Sequence, residues 1–171
     1  MEGFFYIFTF SKVDLNTYKT YTVEEAKSRM ERYCAYQERC HKEVHKKLKE
    51  LRMIPEAVDQ IIYHLLQNNY LNETRFAQAF ARGKFKQKHW GKNRIVQELK
   101  LREISTYNIK IALKDIPENE YFLTFEALVE KRLNQLALEK NLLKKKKKLA
   151  DYLLYRGWEP QLVWEKVNKI N

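Results

Sequence analysis

From Thr22 onward the apolar positions of this chain recur three and four residues apart, the period of an α-helix with one buried stripe. Thr22-Val23-Glu24-Glu25 reads as a capping box, opening a helix with Ala26, Met30 and Tyr33 inward. A second helix is predicted from about Glu38 to Leu51, carrying Val44, Leu48 and Leu51. Pro55 suits the first turn of a third, where its missing N–H costs nothing; Val58, Ile61, Ile62 and Leu65 face inward, and the helix ends near Asn68-Asn69. Asn72 caps a fourth with a broad apolar face of Phe76, Ala77, Phe80, Ala81 and Phe85, which Gly91 breaks. Ile95 and Leu99 mark the next, and Ser105 or Thr106 caps another with Ile109 and Leu113. After Pro117 a long helix with Phe122, Phe125, Leu128 and Val129 runs to about Leu138. A helix after Asn141 passes through Lys144–Lys148 to Arg156 and stops at Gly157; Pro160 opens the last, with Val163 and Val167 inward.

Nine helices in three groups of three invite a test for internal repeats. The second and third helices of each group superimpose without a gap. Val44, Ile95 and Leu149 correspond, as do Leu48, Leu99 and Leu153; then Met53, Ile104 and Trp158; Val58, Ile109 and Val163; and Ile62, Leu113 and Val167. All five columns are apolar, across an interhelix turn. The expectation is an all-α chain of three tandem three-helix repeats in an elongated, curved array, spanning 19–69, 70–117 and 118–171. Residues 1–18 stand apart as an N-terminal extension. Their aromatic stretch Phe4-Phe5-Tyr6-Ile7-Phe8 fits no helical period, and a short strand, a docking tail and an unordered extension from an early start codon all fit it.

Composition narrows the function. Gly (4) and Pro (3) are too scarce for the many tight turns of an all-β fold. Lys and Arg number 33 against 22 acidic residues, a formal charge of +11, which implies a polyanionic or acidic partner. No apolar run approaches the ~18–20 residues needed to cross a bilayer. Cys34 and Cys40 cannot build a disulfide scaffold, and no basic residue precedes the apolar opening stretch, so a cytoplasmic protein is expected.

Several motifs then resemble a known family. Asn69-Tyr70-Leu71-Asn72-Glu73 followed by Arg75-Phe76-Ala77 looks like a tyrosine-leucine-acid turn and an arginine-phenylalanine-alanine signature. Gly91-Lys92, Arg94-Ile95 and Glu98-Leu99 look like the glycine corner and the helix after it. Lys47-Leu48 to Pro55 and Leu153 to Trp158 match the corresponding places in the flanking units. The chain thereby resembles RecX, the bacterial regulators of the RecA recombinase, over roughly residues 19–170. It departs from that pattern at Asn72 (commonly Asp), at Lys92-Asn93 (often glycine-proline) and at Arg52-Met53, which lacks the first unit's usual glycine. The resemblance implies three tandem three-helix repeats, no catalysis and no cofactor. It implies binding along the groove of a RecA–DNA filament, usually lowering ATPase, strand exchange and co-protease action. The partners expected are the RecA filament and DNA, the latter weakly and without sequence preference; a monomer is expected.

The candidate contact residues are basic. Arg75, Arg82 and Lys86 fall on one line down the fourth helix, and Lys88, Lys92 and Arg94 extend it round the glycine corner. The alternative is a solvated face balanced by distant acids. Lys144, Lys145 and Lys148 belong to a run of five lysines, which a helix spreads around its circumference; Lys145, four residues before Leu149, must lie towards the core with its head snorkelling out. Cys34, Glu38, His41 and His45 have spacings that would align on one continuous helix as zinc ligands, but the repeat register puts a helix boundary between Cys34 and Glu38. Among the aromatic residues, Tyr70 and Trp158 sit at repeat turns and read as packing, Trp164 is a further candidate, and Trp90, beside Gly91, is the best candidate for exposed base stacking, while locking the turn against the neighbouring unit fits it equally. No phosphate loop, nucleophile–base pair or paired carboxylates occur at usable spacing. The rival is a stand-alone DNA-binding module of helix-turn-helix type, reading bases with Asn93, Arg94 and Gln97.

Overall fold

The computed structural model describes residues 19–170, which form nine helices and no strand. The first set is α1 (Val23–Tyr36), α2 (His41–Glu50) and α3 (Pro55–Gln67); the second is α4 (Glu73–Lys88), α5 (Lys92–Leu101) and α6 (Thr106–Lys114); the third is α7 (Glu118–Gln135), α8 (Leu142–Tyr155) and α9 (Pro160–Asn168). The reading made of residues 1–18 lies outside the described residues. No helix among those described is long and apolar enough to cross a membrane.

Six of the nine helices among the described residues start on a side-chain cap or a first-turn proline. Thr22 Oγ1 accepts from the Glu25 amide (3.2 Å) while the Thr22 amide donates to Glu25 Oε2 (2.9 Å), a complete capping box. Asn72, Ser105 and Asn141 each accept from the amide three residues on, at 3.0, 3.2 and 3.0 Å. Pro55 and Pro160 occupy the first helical position.

The repeat is visible in the backbone. Shifting α2 by the first offset, 92 − 41 = 51, reproduces the bounds of α5, and shifting α6 by 160 − 106 = 54 reproduces those of α9. The turns between second and third helices match as well. Arg52, Glu103 and Gly157 all sit in the left-handed region, at φ +59°, +63° and +83°. In each case the next residue's amide reaches back to a helix carbonyl: Met53 to Leu48 (3.2 Å), Ile104 to Leu99 (3.1 Å) and Trp158 to Leu153 (3.2 Å). Arg52 therefore adopts, at the cost of its Cβ, the conformation that glycine supplies in the third set.

Four of the five apolar columns are buried as the register requires, with Met53 half-buried in the third. The fifth is displaced by one position in the first two sets. There Ile61 and Ala112 are fully buried and Ile62 and Leu113 only half, whereas Val167 is buried in the third. Three further expectations are corrected. The second helix begins at His41 rather than Glu38, and α7 ends at Gln135 rather than Leu138. On α7 it is Tyr121, not Phe122, that turns inward: Tyr121 is 2% exposed and Phe122 50%. The Tyr121 ring packs against Trp158 with centroids 4.5 Å apart, and its hydroxyl accepts from the Lys92 amide and donates to Glu159. Phenylalanine would leave both groups unpaired, which is why a tyrosine holds the inner position.

Two cores result. The first set closes on itself around Met30, Leu48, Ile61 and Leu65. The second and third sets share one continuous core running from Phe76 and Phe85 through Tyr121 and Phe125 to Leu153 and Trp158. Only Cys40, from the first set, reaches into that second core. The first junction is otherwise ionic: Arg75 Nε donates to Glu38 (2.5 Å), His41 meets Glu73 (2.7 Å), Lys42 meets Glu103 (2.7 Å), and Arg102 stands 3.8 Å from Glu43. Each set packs mainly on itself, with α4 against α6 and α8 against α9 the most extensive helix pairs.

Candidate functional site

The chain's main cationic stretches meet different fates. Along α4, Arg75 is occupied: beyond Glu38 it donates to the Asn69 side chain (3.0 Å) and carbonyl (2.9 Å), clamping the α3–α4 turn. Arg82 is 56% exposed and approaches Asp115 only to 3.9 Å. Lys86 and Lys88 are exposed, with no ion-pair partner among the described residues.

Round the glycine corner, the second set docks on the third by backbone contact. The Gly91 amide donates to the Arg156 carbonyl (2.9 Å) and the Asn93 amide to the Gly157 carbonyl (3.1 Å). Arg156 in turn donates to the Lys88 carbonyl (2.5 Å). A Cβ on Gly91 would lie 2.3 Å from the Gly157 oxygen, so only glycine allows the approach. Arg94 is held between the Trp90 and Tyr155 rings, 4.3 and 4.8 Å from their centroids, and donates to the Tyr155 carbonyl (2.9 Å). Lys92 is half-buried with its ammonium 4.4 Å over the Tyr121 ring. Of the two readings open for Trp90, the structure fits the locking of the turn: it is half-buried against the shared core, with Arg94 and Lys84 both settled on its ring. Burial and the hydrogen bond to Glu159 push the Tyr121 hydroxyl well above its usual range, so it stays protonated and keeps donating.

This junction leaves a surface hollow of about 440 Å³. Lys88, Arg94, Lys131 and Arg156 line it together with His89 and the Trp90 and Tyr155 rings, and no acidic residue does. Four cations without a local counter-ion, beside two aromatic rings, form a surface suited to phosphate oxygens. Lys131 and Arg156 were not among the residues singled out from sequence. The only cue lay in the repeat register, which sets the α8–α9 turn against the corner of the preceding unit.

The lysine run lies elsewhere. Lys144 and Lys148 sit 12 and 8 residues before Arg156 on α8, about 12–18 Å of helix rise from the hollow. Lys148 pairs with Glu139 (2.7 Å), whose carboxyl is thereby held below its usual range, and Lys147 pairs with Asp151. Lys145 is half-buried and Lys144 exposed, as the snorkelling argument requires. The four metal-type residues do not converge: Cys34 is 5% exposed within the first core, Glu38 is engaged by Arg75, His41 by Glu73, and His45 faces outward. No group of three such side chains forms a cation site among the described residues. Trp158, 1% exposed, and Tyr70, packed on the first core, are framework; Trp164 is 48% exposed on α9.

Residues 72–113 match the model of the RecX second three-helix domain. A regulatory protein RecX from Yersinia enterocolitica is 30% identical over 105 residues, 61% of this chain and 60% of that protein. One from Bacillus velezensis is 29% identical over 128 residues, 75% of this chain and 45% of that protein. The chain thus spans less than two thirds of the length of either relative. A crystal structure of regulatory protein RecX superimposes with a TM-score of 0.75 at 23% identity, covering 86% of this chain and 72% of that one. RecX from Lactobacillus salivarius gives 0.73 at 21%, covering 86% and 97%. The chain is thus similar to RecX proteins, in sequence most specifically over α4–α6 and in fold over most of its length.

Proposed function

We infer that the chain is a non-catalytic cytoplasmic regulator that binds RecA–DNA filaments as a monomer and lowers RecA's ATPase, strand-exchange and co-protease activities. The observation that carries this reading is the acid-free hollow of Lys88, Arg94, Lys131 and Arg156, set where the second and third repeats meet in a chain of charge +11. A serial body with such a surface near its centre suits a groove lined by DNA phosphates and acidic loops, where it would bridge adjacent RecA subunits and resist the rearrangements that turnover requires. Arg82, Lys86 and Lys88 extend the cationic surface along α4, with Lys144, Lys145 and Lys148 as a separate outlying contact; Arg75, Lys92 and Arg94 act mainly by holding the junctions.

The helix-turn-helix reading fits less well. Such modules read bases with the N-terminal residues of the second helix. Here the Gly91 and Asn93 amides are bonded to the α8–α9 turn and Arg94 is held between two rings, which leaves only the Asn93 and Gln97 side chains exposed among the three candidate readers. The test is co-sedimentation with RecA filaments assembled on single-stranded DNA, over a salt series. Replacing Lys86, Lys88 and Lys131 with Ala should weaken binding and lower the salt slope by about one for each phosphate no longer neutralised. An unchanged slope removes this face from the interface.

A further inference from the structure

The outward stripe of α6 differs from its counterparts in the other two repeats. Tyr107, Lys110, Ile111 and Lys114 are spaced to share one helix face. Tyr107 is 72% exposed; Lys110 and Lys114 are exposed, with no ion-pair partner among the described residues, and Ile111 is half-buried. With Leu113, Ile116 and the neighbouring Lys92 and Glu118, they line a groove of about 640 Å³. Its floor is aliphatic, and its rim sets three lysines against one glutamate.

The repeats supply an internal comparison. The fixed offsets place Glu56, Asp59, Gln60 and Tyr63 of α3, and Gln161, Trp164, Glu165 and Asn168 of α9, at the same four positions. The three-helix framework therefore demands neither lysine nor isoleucine there, and it is satisfied by acids, amides and, at Tyr63 and Trp164, aromatic rings. Only the middle repeat sets an apolar residue between two like charges four apart, an arrangement unfavourable in an isolated helix and relieved by an anionic, partly apolar partner.

We propose that this groove docks an acidic amphipathic segment of a partner protein. Its aliphatic side chains lie over Ile111, Leu113 and Ile116, and its carboxylates meet Lys110 and Lys114. A single-stranded nucleic acid suits the groove less, because bases need rings to stack on and Tyr107 is the only one lining it. The proposal rests on the α6 face and goes beyond the filament reading, holding whichever assembly the chain regulates.

The test selects phage-displayed random 12-residue peptides on the full chain, then measures labelled synthetic copies by fluorescence polarisation. Enriched peptides should combine Asp or Glu with Leu, Ile or Phe. Their affinity should fall about tenfold or more in the double variant Lys110→Glu/Lys114→Glu and in Ile111→Gln, and should weaken with salt in the unaltered chain. The lysine pair is exposed, so its reversal leaves the fold intact, and thermal melting verifies this for both variants. Enriched peptides without acidic residues, binding indifferent to both variants, or no enrichment at all would overturn the proposal. So would a loss in the lysine variant confined to a labelled 15-residue oligothymidine, which would make the groove a nucleic-acid site.

Discussion

The same one-methyl change, glycine to alanine, should have opposite effects at different places in this fold. Gly91 has an ordinary φ of −73°, so alanine there meets no backbone penalty. Its Cβ, however, would stand 2.3 Å from the Gly157 oxygen, 2.4 Å from the Gly157 carbonyl carbon and 2.5 Å from the Trp158 nitrogen. Relief requires the corner and the α8–α9 turn to part by roughly 1 Å, since ordinary contacts begin near 3.4 Å. That weakens the bonds from Gly91 to Arg156 and from Asn93 to Gly157. Strain of about 1–3 kcal/mol and roughly 0.5–1.5 kcal/mol for each of the two hydrogen bonds give a loss of about 2–6 kcal/mol. Gly157→Ala should cost at least as much, because its new Cβ would stand 2.2 Å from the Arg94 Cβ and 2.4 Å from the Arg94 nitrogen, and the φ of +83° adds about 1 kcal/mol of backbone strain. Gly83→Ala, mid-helix with nothing within 4 Å of the new methyl, should gain about 0.5–1 kcal/mol. Urea unfolding and thermal melting measure all three, at about 2–4 °C per kcal/mol for a chain of this size. A neutral or stabilising Gly91→Ala would refute backbone-to-backbone docking of the second repeat on the third.

Other consequences can be checked alongside. Thr22→Ala should remove the capping box at a cost of about 1 kcal/mol and speed hydrogen exchange in the first turn of α1. A double-mutant cycle on Arg75 and Glu38, each changed to Ala, should give a coupling of about 0.5–1 kcal/mol, modest because Arg75 is 38% exposed. Burial pushes the Cys34 thiol from 9.0 up to about 11, so it should react with a thiol reagent at pH 8 about a hundredfold more slowly in the folded chain than in urea. Because the folded state holds that proton more tightly, the associated stability is fully present below pH 9.0 and is lost as pH rises through about 11. Denaturant midpoints from pH 8 to 11 should accordingly fall less steeply in Cys34→Ala.

The elements were legible because helical spacing, caps and two prolines are local signals. The repeat followed from five apolar columns at constant offset, and it located the Arg52 and Glu103 turns without a glycine to mark them. What the sequence did not disclose depends on partners far along the chain. Tyr121 and Phe122 are equally apolar neighbours on α7; the choice between them rests on the Lys92 amide and on Glu159, 38 residues away. Arg75 and Arg94 look like free surface cations until Glu38, 37 residues before, and Tyr155, 61 residues after, are set beside them. The hollow is hidden in the sequence for the same reason, since half of its cations, Lys131 and Arg156, come from the following repeat.

Regulation of RecA, proposed above, shows in RecA's own turnover. The direct measurement is RecA's single-stranded-DNA-dependent ATPase, titrated with this chain and, in parallel, with the Lys86, Lys88 and Lys131 to Ala variant. The rate should fall as the chain is added, and the variant should need a higher concentration for the same fall. An ATPase rate unchanged at concentrations where the chain binds duplex DNA alone would contradict the proposal.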